Sequence, residues 1–261
     1  MQSSIMIKIL LVLFRFPILI VHMIIGLTIL LFFPKDSSNL KPIHHKISFL
    51  WMKGLVYIFG INIIIKGNID YKAHAYVSNH ISFFDIIVLN SMIPSNFVAK
   101  SEIKKWPVIG HLSSKTGTIF IRRGDHDDID RVVSMMRQYI LKNKSIIFFP
   151  EGRIGNGIKI SKFHSKLFNC IENTTNNIQP IFIRYPLSYP NNIKSDSSIC
   201  WSDKSQTLFK ISMRCLSRYS TNVIVSFRKP IHAKGLDSYT LAKETNNSVL
   251  ECEDELKVVS D

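Results

Sequence analysis

The chain has 261 residues, enough for one large domain and an appendage, and 46% of them are hydrophobic, with a mean hydropathy of +0.13. Its formal net charge is +14 and its pI about 9.7, which favours an anionic partner: nucleic acid, an anionic membrane surface or a phosphorylated substrate. There is no zinc-finger spacing, ribonucleoprotein signature or basic stripe interleaved with aromatics, so a nucleic-acid partner is not expected.

Ile5 to Phe33 is almost wholly apolar, broken by Lys8, Arg15, Pro17 and His22. Phe16 to Phe33 alone nearly reaches the roughly 20 residues of a membrane-spanning helix. The sequence Phe32-Phe33-Pro34-Lys35 offers no small-residue cleavage site, which argues against a removable signal peptide. The segment therefore reads as a membrane attachment. Arg15 and Pro17 leave two geometries open, a full span or a bent helix that dips into one leaflet. Lys35 to Lys46 is polar and basic and reads as a linker. Its His44 and His45 have no carboxylate or cysteine at ligand spacing, so no metal is expected. Lys41, Lys46 and Lys53 favour the cytoplasmic side. Ile47 to Phe59 reads as a second helix lying on or in the interface.

The globular part starts near Ile61. Ile61 to Lys66 is a β-branched run, hence a strand, and Ala75 to Ser78 is the next. A turn and helix follow, closed before Pro94. Phe97 to Ala99 and Gly117 to Arg123 read as strands. Asp127 to Lys142 reads as a helix, because Val132, Val133, Met136 and Ile140 recur at helical spacing. Ser145 to Phe149 is an apolar strand, and a helix is expected around Ser165 to Glu172. Ile178 to Tyr185 and Val223 to Phe227 are the last strands, with an amphipathic helix near Leu208 to Tyr219 between them. Alternating strands and helices predict an α/β fold with a mainly parallel central sheet flanked by helices. The expected division is residues 1–60, membrane-associated helices; 61–232, the α/β domain; and 233–261, a tail ending in a short helix. Cys170, Cys200, Cys215 and Cys252 are scattered without a CxxC pair and read as reduced structural residues.

The chemistry gathers at three strand ends. Asn79-His80-Ile81-Ser82-Phe83-Phe84-Asp85 joins a strand to a helix, with Ser82 as the expected N-cap and Asp85 three positions on, as in a capping box. Inside one continuous helix His80 and Asp85 would lie roughly 140° apart. With His80 in the turn, its ring can fold back onto Asp85. A carboxylate on one ring nitrogen fixes the tautomer and leaves the other nitrogen to take a proton. The alternative is that Asp85 only caps the helix. Next, Ile121-Arg122-Arg123-Gly124 ends a strand with two arginines, whose rigid forks suit phosphate oxygens. In α/β sheets ligands collect at such carboxyl ends. A salt bridge to Asp125 or Asp128 is the competing reading. Finally, Phe149-Pro150-Glu151-Gly152-Arg153 presents one carboxylate on a fixed turn, where it could pair with an arginine, bind a substrate hydroxyl or simply face solvent.

Together these stretches resemble the glycerolipid acyltransferases of the lysophosphatidate acyltransferase type. Asn79-His80 to Asp85 matches their NHxxxxD motif, Gly117 to Arg123 their second motif, Phe149 to Gly152 their FPEG motif, and Ile178-Gln179-Pro180-Ile181 their fourth. The resemblance implies that His80, oriented by Asp85, deprotonates a lysolipid hydroxyl. That hydroxyl then attacks an acyl thioester, acyl-CoA or acyl carrier protein, with no acyl-enzyme and no cofactor or metal. It further implies that Arg123, with Arg122, holds the acceptor phosphate, that Glu151 orients the acceptor, and that Gly117, Gly152 and Arg153 belong to the same binding region. Lys100 and Lys105 are further candidates for anionic groups. The implied product is phosphatidic acid, made at the cytoplasmic face of a membrane. One departure stands out: Arg153 replaces the Thr of FPEGT. The residues that follow, Gly155-Asn156-Gly157, Phe163 and Leu167-Phe168, look like the lyso-ornithine lipid acyltransferases. That acceptor, or another lysophospholipid, is therefore the alternative. A hydrolase of the thioesterase or lysophospholipase kind is a second alternative, and a non-catalytic lipid binder a third.

Overall fold

The structure, a computed structural model, describes residues 2–122, 124–201, 203 and 205–258. Its centre is an eight-stranded sheet. Five strands, β2 (Ala75–Ser78), β3 (Asn96–Lys100), β4 (Ile119–Ile121), β5 (Ile146–Phe148) and β6 (Asn177–Arg184), run parallel in the order β6-β2-β5-β3-β4. All five therefore end at the same edge. β9 (Thr221–Phe227) pairs antiparallel with β6, and β1 (Ile61–Lys66) pairs parallel with β9. β10 (Ile231–His232) lies antiparallel beside the start of β6, and β7 (Pro186–Ser188) with β8 (Asn192–Ser195) forms a separate hairpin. The sheet is thus mixed but mostly parallel, as the alternating pattern predicts.

Helices cover both faces, which is why β2, β5 and most of β6 are buried along their length and mostly apolar rather than alternating. On one face Tyr76, Ile147, Ile183 and Val225 pack under α2 (Pro42–Ile58), α3 (Phe84–Asn90) and α6 (Leu208–Leu216). On the other, Val77, Phe148, Phe182 and Ile224 pack under α5 (His126–Leu141) and α7 (Ser238–Val258). α5 follows its expected spacing: Val132, Met136 and Ile140 are buried, and Asp125 caps it by accepting from Asp128 N at 3.1 Å.

α1 (Gln2–Ile29) and α2 form a hairpin. The rings of His22 and Trp51 stack at 5.0 Å, and each side chain bonds the other residue's carbonyl oxygen, at 2.9 and 3.1 Å. Arg15, halfway along α1, donates to the carbonyls of Arg218 at 2.6 Å and Tyr219 at 3.2 Å, just past the end of α6. The charged interruption in the apolar helix is therefore its tether to the globular part, since those carbonyls have no helical partner. The opposite face is bare: Leu13 is 65% and Phe14 71% exposed. Ile5–Phe32 is long and apolar enough to cross a membrane.

Several elements differ from expectation. The tail holds a 21-residue helix, not a short one. Its apolar positions, Leu241, Val249, Cys252 and Leu256, are diluted among polar residues yet share a buried face. Arg184 of β6 pairs with Glu253 beneath it. The helix expected near Ser165 is a short 3-10 segment, Lys166–Cys170. The strand expected from Gly117 begins only at Ile119, because Gly117 turns the chain with φ +86°. α2 starts at Pro42, inside the expected linker, with proline in its first turn where the missing N–H costs nothing. α4 (Ile109–Lys115) and the β7–β8 hairpin were not foreseen. All four cysteines are free and buried.

At the end of β1, Gly67 has φ +72°, and a Cβ there would stand 2.1 Å from the Phe227 carbonyl oxygen. Gly67→Ala is expected to lower stability by at least about 1–3 kcal/mol, the usual cost of such strained backbone. Denaturant unfolding of both proteins measures it, and an unchanged midpoint would contradict the reading.

Candidate active site

β2 ends at Ser78, and the next five residues turn the chain into α3. Asn79 pins this turn to β6: its amide donates to Ile183 O at 3.0 Å and accepts from Ile183 N at 2.8 Å. His80 follows in the turn. Its Nδ1 bonds Asp85 Oδ2 at 2.8 Å, and the same oxygen accepts from the N–H groups of Ile81 at 2.7 Å and Ser82 at 2.9 Å. Capping and orienting are thus one arrangement, and the two readings of Asp85 merge. Ser82 serves differently from expectation. Its hydroxyl donates to Ile199 O at 2.8 Å and accepts from Phe84 N only at 3.4 Å, and the helix begins one residue later. The His80 ring stacks on Phe149 with centroids 4.0 Å apart, and Asp85 is wholly buried.

The loop after β5 holds the turn from the other side. Glu151 Oε1 accepts from His80 N at 2.8 Å and Oε2 from Ser161 N at 2.8 Å. Burial pushes the Glu151 carboxyl above its ordinary range, while these two donors pull the other way. Gly155 N donates to His80 O at 2.6 Å. A third segment, not foreseen, closes the set: Trp201 N donates to Ile81 O at 2.8 Å, beside the bond from Ser82 to Ile199. These contacts span more than a hundred residues of sequence, so no local pattern announces them.

The other anticipated residues are dispersed. Gly152, with φ +70°, borders the cavity below His80. Arg153 is exposed beside it. Gly117 is buried against Asn96, and a Cβ on it would meet the Asn96 amide at 2.5 Å, so its place is structural. Arg122 turns outward, 3.3 Å from Asp125 and 3.6 Å from Asp128, the salt-bridge reading. Arg123 lies outside the described residues. Lys100 borders the cavity but pairs with Glu102 at 2.7 Å, and Lys105 is exposed.

Two cavities meet at this turn. The larger, about 670 Å³, is lined by His80, Phe149, Gly152, His164, Lys166 and Trp201 among others. The smaller, about 340 Å³, is almost purely apolar and runs between α1, α2, α3 and α6, past Met23, Trp51, Leu55 and Met213. Phe83, Ile86, Ala99 and Ile103 belong to both walls. His80 lines the larger cavity, and the shared residues put the apolar cavity next to it.

A family model described as Acyltransferase matches residues 61–184, the stretch that holds the turn, Glu151 and β6. Residues 61–184 belong to the acyltransferase family. The chain is 26% identical to a lyso-ornithine lipid O-acyltransferase of Pseudomonas aeruginosa over 214 residues, 82% of this chain and 80% of that protein. It is 32% identical to a 1-acyl-sn-glycerol-3-phosphate acyltransferase of Neisseria gonorrhoeae over 108 residues, 41% of this chain and 42% of that protein. The fold matches the crystal structure of the 1-acyl-sn-glycerophosphate acyltransferase PlsC from Thermotoga maritima, with a TM-score of 0.66 at 19% identity over 97% of this chain and 98% of that one. The protein is thus an enzyme of acyl transfer, and its acyltransferase domain contains the His80–Asp85 pair.

Removing the Glu151 carboxylate leaves the N–H groups of His80 and Ser161 without acceptors. Glu151→Ala is expected to cost about 1–3 kcal/mol for each donor left unpaired and to lower turnover with it. Unfolding and acyl-transfer assays on the same preparation measure this, and wild-type values in both would contradict it.

Proposed function

We propose that this enzyme moves a fatty acyl chain from an acyl thioester, acyl-CoA or acyl carrier protein, to the free hydroxyl of a lysolipid at a membrane surface. The observation that carries the proposal is the Asp85-held imidazole in the wall of the larger cavity, which shares Phe83, Ile86, Ala99 and Ile103 with the apolar one. His80 Nε2 takes the proton of the lysolipid hydroxyl as its oxygen attacks the thioester carbonyl carbon. The tetrahedral adduct then collapses, the C–S bond breaks, and the imidazolium returns the proton to the departing sulfur. A thioester is already activated, so one positioned base is enough. The acyl chain takes the apolar cavity, and the acceptor enters through the larger one.

1-Acyl-sn-glycerol-3-phosphate is the first reading of the acceptor, with Arg123 and Arg122 as its phosphate ligands and phosphatidic acid as the product. In this role Arg122 exchanges Asp125 and Asp128 for phosphate. Lyso-ornithine lipid is the second reading. The relative that aligns over four-fifths of both chains carries that name, and Arg153 stands where FPEGT has threonine. α1 supplies the membrane attachment through its bare apolar face. The lysines around α2 and the four free cysteines support an active site facing the cytoplasm.

The test is purified enzyme in detergent with one labelled acyl donor, both lysolipids and mass analysis of the products. A diacyl product made by the wild type, and lowered roughly 10²–10⁴-fold by His80→Ala, is expected. Free fatty acid alone would identify a hydrolase. Full activity of His80→Ala would remove the proposed base.

A further inference from the structure

The described bonds account for one oxygen of Asp85 and leave the other unexplained. Oδ2 takes three donors, whereas Oδ1 is buried and closes no hydrogen bond of ordinary geometry. The same holds for the hydroxyl of Tyr185, the residue directly after β6. Both side chains are wholly buried. The phenol faces this carboxylate: burial first, and then the negative charge of Asp85, push the Tyr185 hydroxyl well above its ordinary range. The other titratable groups facing Tyr185 are Cys215 and Cys200, thiols that burial pushes up to about 12, so both stay neutral. Asp85 itself faces His80, Tyr185 and Cys200. A carboxylate oxygen and a phenol that are both buried without a protein partner are each costly, and each can relieve the other.

We propose that Tyr185 is a positioning residue of the acyl transfer, its O–H donating to Asp85 Oδ1 so that the carboxylate holds its plane and Oδ2 stays aimed at His80. The arrangement is a relay of fixed orientation, tyrosine to carboxylate to imidazole. Tyr185 touches no reactant and moves no proton in the reaction. It also tempers the carboxylate: a hydroxyl on Oδ1 drains charge that would otherwise strengthen the grip of Asp85 on a protonated ring. The inference rests on the acyl-transfer reading.

The test is Tyr185→Phe, which keeps the buried ring and removes only the hydroxyl. Expected are a kcat lower by on the order of 10-fold, a KM for the acceptor changed less than 2-fold, and an acidic limb of the kcat/KM profile moved to higher pH. The pH shift separates positioning from packing, which would lower stability and activity together and leave the limb in place. An unmoved limb, or kinetics equal to wild type, would overturn the inference. The wild type and His80→Ala are run alongside. If wild-type transfer does not depend on His80, the acyl-transfer reading fails, whereas a failure confined to Tyr185→Phe leaves it standing.

Discussion

A carboxylate taken out of water must be met by donors, and the buried Asp85 is met by three of them on one oxygen. Two are backbone N–H groups that only a non-helical turn can aim at it; the third is an imidazole. Burying the charge therefore dictates the shape of residues 80–82 and, with it, the direction of the His80 ring. The turn is then clamped from β6 through Asn79, from the loop after β5 through Glu151 and Gly155, and from residues 199–201 through Ile81 and Ser82. An imidazole held on this many sides has little orientational freedom left to lose when a ligand arrives.

The same fold solves the problem of a greasy substrate. Parallel strands put the carboxyl ends of β2, β5 and β4 on one edge, so His80 and the two loops of charged residues emerge together. α1 and α2 then extend that edge with an apolar cavity and an outward face of exposed leucine, isoleucine and phenylalanine. So large a bare apolar surface calls for a partner that is itself apolar, and a bilayer meets that need. Arg15 fixes α1 to the globular part by binding backbone carbonyls past α6.

Much of this was legible in the sequence where the signal is local. The parallel strands read as short apolar runs, α5 as a periodic one, and the Asn79–Asp85 turn as a histidine placed just outside a helix start. The signal failed where partners are far apart or the pattern is diluted. α7 hides its buried face among polar residues. Residues 199–201 reach the turn across more than a hundred positions. Glu151, read as a group presented to substrate, is bound instead to two backbone N–H groups, because a turn glutamate looks the same in sequence whether it faces outward or inward. Arg122 shows the converse: Asp125 and Asp128 were close enough in sequence for the ion pair to be a stated alternative, and the structure has it.

The central claim is that the Asp85 carboxylate orients His80 as the base, and Asp85→Asn tests it with the least change of shape. With donor and acceptor both saturating, the measurement is kcat for acyl transfer, alongside an unfolding curve showing that the variant is folded. The account predicts a fall of roughly 10²–10⁴-fold, because an amide presents only one acceptor and no longer fixes the tautomer. A folded Asp85→Asn enzyme with wild-type kcat would contradict it.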